Sequence, residues 1–378
     1  MDLPQLREKK AMRRRMSWCI AAVVGALALG ANVATAQVEI SSNATKIKLT
    51  GRLHLQFNQT SAEGAALPTT FFVRRARVTA EITVNDFIYG KIQPEYGEEI
   101  VGLRDAYMRL QFARYFRVTG GQFKRPFDVF ELVSSTQILV IERAGGVRGL
   151  SGCAGIGSVC SLSRFTEKLF YSDRDIGVMV DGRIGDWRYS GSVTNGRGPN
   201  NRIDENGTKS FSGRLEYNFA GGNGRVGAHV AAHDYPFTNP VDSATSDEYG
   251  YAFGADIDWG RYETPGLHVQ MGVVYGDNWK NQIGTTTADA SKFLTAQGIV
   301  TYMFPINDSR FFYAIEPIGR IAWGDPDRSA ADDEGLLLTP GVQLYFTGRN
   351  KFAVNLDYYK PAALPSVYSF KAQMFFYF

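Results

Sequence analysis

The chain is 378 residues long, 21% charged and 13% aromatic, with a formal net charge of +3. Residues 1–36 hold six of the basic residues (Arg7, Lys9, Lys10, Arg13, Arg14 and Arg15) and two acids (Asp2 and Glu8), a balance of +4, so residues 37–378 carry a net −1. The basic isoelectric point therefore belongs to the N-terminus and gives no argument for a nucleic-acid partner. No stretch reaches the roughly 20 consecutive apolar residues that a membrane helix needs, which excludes a helical membrane protein.

In chain order the first element is an export signal. The basic run Arg13 to Arg15 precedes the apolar stretch Trp18 to Leu29 and then Ala34-Thr35-Ala36, which has small residues where a signal peptidase reads them. This predicts a cleaved signal peptide over 1–36, with an uncleaved anchor as the competing reading. Cys19 lies inside the signal without the small-residue motif of a lipoprotein anchor.

From Lys46 onward the dominant pattern is alternation with period two. One face of the first segment reads Ile47, Leu49, Gly51, Leu53, Leu55, Phe57, and the other reads Lys46, Lys48, Thr50, Arg52, His54, Gln56. The last segment repeats it, with Tyr368, Phe370, Ala372, Met374, Phe376 and Phe378 on one face. Strands are expected near 46–58, 70–84, 87–96, 102–112, 115–125, 172–184, 186–195 and 208–219. They continue near 224–235, 248–259, 266–276, 291–304, 310–323, 335–346, 350–360 and 367–378. That makes about sixteen, an even number, and short connectors alternate with long ones, apart from short outer links near Gly97 to Val101 and Pro361 to Ser366, as in transmembrane antiparallel β-barrels with short periplasmic turns and longer outer loops. Tyr251, Trp187, Trp323 and Phe376 fall near strand ends on the apolar face, where interfacial girdles sit. A soluble exported β-protein is the rival fold, but it would leave the terminal Phe/Tyr strand as a sticky exposed edge. Residues 37–378 are thus read as an all-β outer-membrane barrel facing outer-membrane lipid.

The segment 126–171 is far longer than a rim loop needs, and loops of that length are usually functional. Phe127, Phe130, Leu132, Val133 and Ile138 to Ile141 make its first half too apolar for water. Folding inward to narrow the pore and packing over a neighbouring subunit are both open to it. Cys153 and Cys160 stand together in its Gly/Ser-rich part, where an oxidising compartment favours a loop-stapling disulfide.

Nothing in the sequence points to catalysis, a metal or another cofactor. There is no Gly-x-Ser-x-Gly elbow, no His-Glu-x-x-His, no phosphate-binding loop and no Cys/His cluster with zinc spacing. His54, His229, His233 and His268 are read as lumen-facing; His229 and His233 share a strand face but stand about 13 Å apart at the strand rise, too far for one metal. Lumen charge is more informative. Over the first five strands the inward positions carry Lys46, Lys48, Arg52, Arg75, Arg77, Lys91, Arg109, Arg117 and Lys124 against Glu81, Glu95 and Asp105. A wall of that sign favours anions in a water-filled channel, while Asp175, Asp181, Asp256 and Asp258 set up the opposite sign further round. Solvated salt bridges that cancel within the lumen are the alternative.

The runs Phe72-Val73-Arg74-Arg75-Ala76-Arg77, Asp105-Ala106-Tyr107, Gly121-Gln122-Phe123-Lys124-Arg125-Pro126-Phe127, Ser134-Ser135 and Glu142-Arg143 together resemble the phosphate-selective porin O and P family in order and spacing. The resemblance is concentrated in 70–145. It implies a sixteen-stranded trimeric porin whose third outer loop folds into the lumen, with a basic ladder that falls here on Arg75 and Arg77, and with Lys124 and Arg125 at the loop entrance. The sequence departs from the pattern at Glu131 and Thr136, where the phosphate-selective members place lysines, so weaker phosphate selectivity is expected. The reading reached is passive diffusion of small hydrophilic solutes with mild anion preference. The alternative is a non-conducting structural or adhesion barrel.

Overall fold

The computed structural model of the chain describes residues 43–62, 69–99, 101–146, 150, 152–201, 203–204, 206–282 and 289–378. The expected signal peptide lies outside the described residues. The strands are β1 (Lys46–Thr60), β2 (Thr69–Thr83), β3 (Ile88–Glu95), β4 (Gly102–Ala113), β5 (Phe116–Lys124), β6 (Arg174–Ile184), β7 (Trp187–Thr194) and β8 (Ser210–Phe219). They continue as β9 (Gly224–Thr238), β10 (Thr245–Trp259), β11 (Gly266–Asn278), β12 (Ser291–Pro305), β13 (Ala314–Asp325), β14 (Gly335–Thr347), β15 (Asn350–Pro361) and β16 (Val367–Tyr377).

All sixteen pair with their sequence neighbours in antiparallel fashion, and β1 pairs with β16 to close the barrel. The closing register sets His54 opposite Phe375, Gln56 opposite Gln373 and Asn58 opposite Lys371. Backbone bonds continue past the strand end, with Gly51 N–H donating to the Phe378 carbonyl at 2.9 Å. Closure removes the exposed edge that a terminal strand would otherwise present.

Alternation sorts the side chains by face. Leu53, Leu55, Phe71, Met374 and Phe376 point outward and are 42–74% exposed, whereas His54, Gln56, Lys371 and Gln373 point inward and are buried. An apolar band this large would be a liability in water; in hydrocarbon it is the solvated surface, because closed strands satisfy their backbone groups among themselves.

Simple alternation is broken at several places among the described residues, and two of them bear on the sequence reading. The segment expected at 310–323 forms its strand only from Ala314. Ser309 Oγ accepts from the backbone N–H of Phe311 and Phe312 at 3.2 and 3.1 Å, which holds 309–312 in a turn instead. In β2 the register against β1 slips between His54 and Leu55, which face Arg75 and Val73. Arg74 is the extra residue of this β-bulge. A Cβ on Gly97 would lie 2.7 Å from the Arg74 carbonyl oxygen, so only glycine lets the β3–β4 connection lie so close to the bulge.

Candidate functional site

The long connection between β5 and β6 is built inside the barrel. Its first helix, α1 (Val129–Leu132), is capped by Asp128, whose carboxylate accepts from the Glu131 N–H at 2.8 Å and from the Thr166 hydroxyl at 2.8 Å. The second helix, α2 (Leu162–Lys168), follows the disulfide between Cys153 and Cys160, whose Cα atoms are 5.4 Å apart. One face of the loop carries Phe127, Phe130, Leu139, Val159, Leu162 and Phe165. They pack in one cluster with Ala252, Val274, Phe293, Ile318, Leu337 and Tyr359 of the wall from β10 to β15. Each large side chain buried this way contributes roughly 1.5–3 kcal/mol. The lumen is therefore not uniformly polar: its second half carries an apolar seat for the loop.

Polar side chains of the wall hold the loop backbone around the seat. Arg214 grips both Asp256 carboxylate oxygens at 2.6 Å and donates to the Phe127 carbonyl at 2.9 Å, while Asp256 accepts from the Val129 N–H at 3.1 Å. Gln343 donates to the Leu139 carbonyl at 2.8 Å, Asn355 accepts from the Ile141 N–H at 2.7 Å, and Arg320 donates to the Glu142 and Arg143 carbonyls at 2.7 and 2.9 Å. These bonds satisfy buried carbonyls and N–H groups that an irregular segment would otherwise leave unpaired.

Across the lumen the loop meets the basic wall of β1 and β2. Arg52 and Arg77 both donate to the Ser135 hydroxyl, at 2.7 and 3.1 Å. Arg74 clamps Glu142 with two bonds, at 2.7 and 3.0 Å, and also reaches Glu98 at 3.3 Å. Burial would raise the Glu142 carboxyl pKa, but Arg74 outweighs it and holds the group well below the usual carboxylate range. Glu131 sits among Lys124, Arg143 and Arg174 at 3.5, 3.7 and 3.8 Å. Burial opposes its charge as well, yet Arg143, Lys124 and Arg174 pull its carboxyl pKa down to about 2. Both loop acids are thus anions held inside cages of cations.

Among the described residues, charged cavities adjoin the loop on both sides of the barrel. One of about 330 Å³ on the long-loop side is lined by seven arginines and five acids, among them Arg74, Arg143, Arg174, Glu131 and Glu142. Two on the short-turn side are less balanced. The first, about 490 Å³, has Arg109, Arg114, Arg117, Lys124, Arg183, Arg188 and Arg214 against Asp181 and Glu216. The second, about 580 Å³, has Lys48, Arg52, Lys91 and Arg349 against Glu81.

The family model described as phosphate-selective porin O and P matches residues 47–257, more than half of the chain. The chain belongs to the phosphate-selective porin O and P family. Among solved structures, the outer-membrane channel DcaP of Acinetobacter baumannii superposes with a TM-score of 0.59 at 13% identity, covering 89% of this chain and 99% of that one. OmpF of Salmonella typhi gives 0.55 at 13% identity over 90% and 99%, and a trimer form of OmpT of Vibrio cholerae 0.55 at 10% over 88% and 99%. At these identities the likeness is one of fold. A search of curated protein sequences finds no match. The chain is an outer-membrane porin, a channel by family and fold.

Within this porin the cations read from the sequence fall into distinct settings. Arg77 pairs with buried Glu95, Lys91 with Asp105 at 2.6 Å, and Arg117 with Asp181. Arg75 is buried against His54, with 3.4 Å between its guanidinium and Nδ1. Arg109 bonds Thr119 at 3.0 Å and lies over the rings of Tyr89 and Tyr107. Lys124 is drawn under the loop, where it donates to the carbonyls of Glu131 and, at 3.0 Å, Val133. Arg125 departs from its expected place in the pore lining: it is 2% exposed and donates to the Ser172 carbonyl at 2.8 Å, tying the two ends of the loop together. Arg74 was missed because strict alternation puts it on the lipid face. The adjacent pair Arg74-Arg75 was the available signal, since a continuous strand would drive one of the two guanidinium groups into hydrocarbon.

Proposed function

We propose that this porin passes small hydrophilic solutes by passive diffusion with a mild preference for anions, phosphate-like ones included. The observation that carries the reading is the cavity on the short-turn side, where seven cations face two acids and where, among the described residues, Arg109 and Arg114 are left without a carboxylate partner once Lys124, Arg117, Arg183, Arg188 and Arg214 are matched with Glu131, Asp181, Asp186, Glu216 and Asp256. Fixed surplus charge in a narrow aqueous passage lowers the barrier for the opposite sign and raises it for its own. Guanidinium forks meet the oxygens of phosphate, sulfate and carboxylate alike, so the preference is for a class of anion. The acids in the loop limit it: Glu131 and Glu142 already occupy cation cages that a free anion would otherwise enter. We further propose assembly as a homotrimer in outer-membrane lipid, which the trimer form of the OmpT fold relative supports, and export through a signal peptide cleaved after Ala36.

The deciding measurement is the reversal potential of the purified porin in a planar bilayer under a KCl gradient. An anion-selective potential is expected. A cation-selective one overturns the preference, and a folded protein with no single-channel conductance points to a closed structural barrel instead.

A further inference from the structure

One side chain in the seat of the inward loop does not match its surroundings. Gln297 lies on the inward face of β12 and is 3% exposed, yet neither its Nε2 nor its Oε1 has a hydrogen-bond partner among the described residues. Its strand partners are Gly272 on β11 and Ala322 on β13. The loop covers Gly272 so closely that a Cβ there would stand 3.0 Å from the Phe130 ring and 3.4 Å from the Leu162 side chain. Ala322 and Ile299, the next inward residue of β12, belong to the same apolar cluster as Phe130 and Leu162. Thr295, the inward residue before Gln297, donates its hydroxyl to the Trp323 carbonyl at 2.8 Å.

Elsewhere in the seat the same residue types fasten the loop. Gln343 donates to the Leu139 carbonyl and Asn355 accepts from the Ile141 N–H, so their amides are satisfied only while the loop is docked. Gln297 has the opposite relation to it. An amide buried without a partner forgoes the bonds it makes to water, and a buried water needs about two to four polar partners that these apolar neighbours do not supply. The docked helix α2 also strands the Ser163 hydroxyl, which is buried and has no partner among the described residues.

The penalty on Gln297 falls on the docked loop alone, because lifting Phe130 from Gly272 opens the amide to the aqueous lumen. The part of the loop that must move is small. The helix α1 is a single turn, and the wall holds its backbone through the Val129 N–H on Asp256 at 3.1 Å. We propose that the inward loop is a lid with a built-in release, in which Gln297 destabilises the docked position of α1 and so sets how often this part of the loop leaves β11 and β12. Short, locally unstable segments of this kind open independently of the global fold, so the constriction fluctuates while the barrel stays closed. The inference is independent of the anion preference of the conducting path.

Hydrogen exchange of the detergent-folded porin, read segment by segment by mass spectrometry, tests it. Gln297→Met keeps the length of the side chain and removes the stranded amide. Exchange over 127–133 should slow by about tenfold, the scale of one unsatisfied buried polar group relieved, while exchange in β3 and β4, away from the seat, stays as it was. Brief steps in the single-channel current should become rarer by a similar factor. Thr295→Val removes a hydroxyl from the same wall that is already bonded, and should not slow exchange over 127–133. If Gln297→Met fails to fold, Gln297→Leu carries the same expectation. Exchange over 127–133 that is unchanged or faster without the amide, or that slows equally in Thr295→Val, would overturn the proposal.

Discussion

Glu131 is the residue on which ion preference turns most directly. Its carboxylate stands within 4 Å of Lys124, Arg143 and Arg174 and so fills, as a tethered anion, the place where a free anion would gain most. Two unit charges about 4 Å apart in a water-like medium interact by about 1 kcal/mol, which corresponds to about fivefold in a partition ratio. Glu131→Gln should therefore raise the anion-to-cation permeability ratio by about two- to fivefold at neutral pH, as read from reversal potentials. The pH dependence has a definite sign. The folded carboxyl titrates at about 2 and the free side chain at 4.5, so Glu131 stays ionised across the neutral and mildly acidic range and loses its charge only as pH falls through about 2. The difference between the natural porin and the variant should persist down to about pH 3 and close below it. A permeability ratio unmoved by the substitution would mean that ions do not pass this carboxylate.

At the scale of the element, the inward loop is a folded unit seated on the wall. Phe127 is fully buried, its ring 4.3 Å from His229 and 6.1 Å from Tyr171, and its carbonyl is held by Arg214. Phe127→Ala should cost about 3–5 kcal/mol of loop packing. The sixteen strands keep their hydrogen bonds, so heat-modifiable migration should stay that of a folded barrel while single-channel currents become noisy and larger on average. Quiet currents at the natural level would show that the loop does not limit conduction. How far this element was legible follows from what each part depends on. That segment 126–171 could not be solvent-borne was visible in Phe127, Phe130 and Ile138 to Ile141, because apolar burial is a local demand of the sequence. Its seat was not visible: Ala252, Val274, Phe293 and Leu337 face inward on separate strands, and only the closed register brings them together. The strands themselves were legible because period two is local, and the bulge at Arg74 was not, because one extra residue inverts every face beyond it.

For the whole molecule, closure converts a list of charges into a field. The pairing of β1 with β16 brings Lys48 and Arg52 to the same end of the lumen as Arg349, from the turn between β14 and β15, so one cavity there carries four cations against Glu81. Round the wall, Arg109, Arg114, Arg117, Arg183 and Arg188 line another against Asp181 and Glu216. Many of these groups are already paired, as Lys91 is with Asp105 and Arg117 with Asp181, so selectivity rests on the unbalanced remainder acting through water. Such a field is screened over about 10 Å at 0.1 M salt and about 3 Å at 1 M. A solute passing along the middle of a cavity several ångströms wide feels the first and is largely shielded from the second. The same tenfold KCl gradient should therefore give a distinctly larger anion-selective potential between 0.01 and 0.1 M than between 0.1 and 1 M. A potential independent of absolute concentration would place selectivity in direct contact at a single tight site, and the Ser135 hydroxyl bridged by Arg52 and Arg77 would then be the place to look for it.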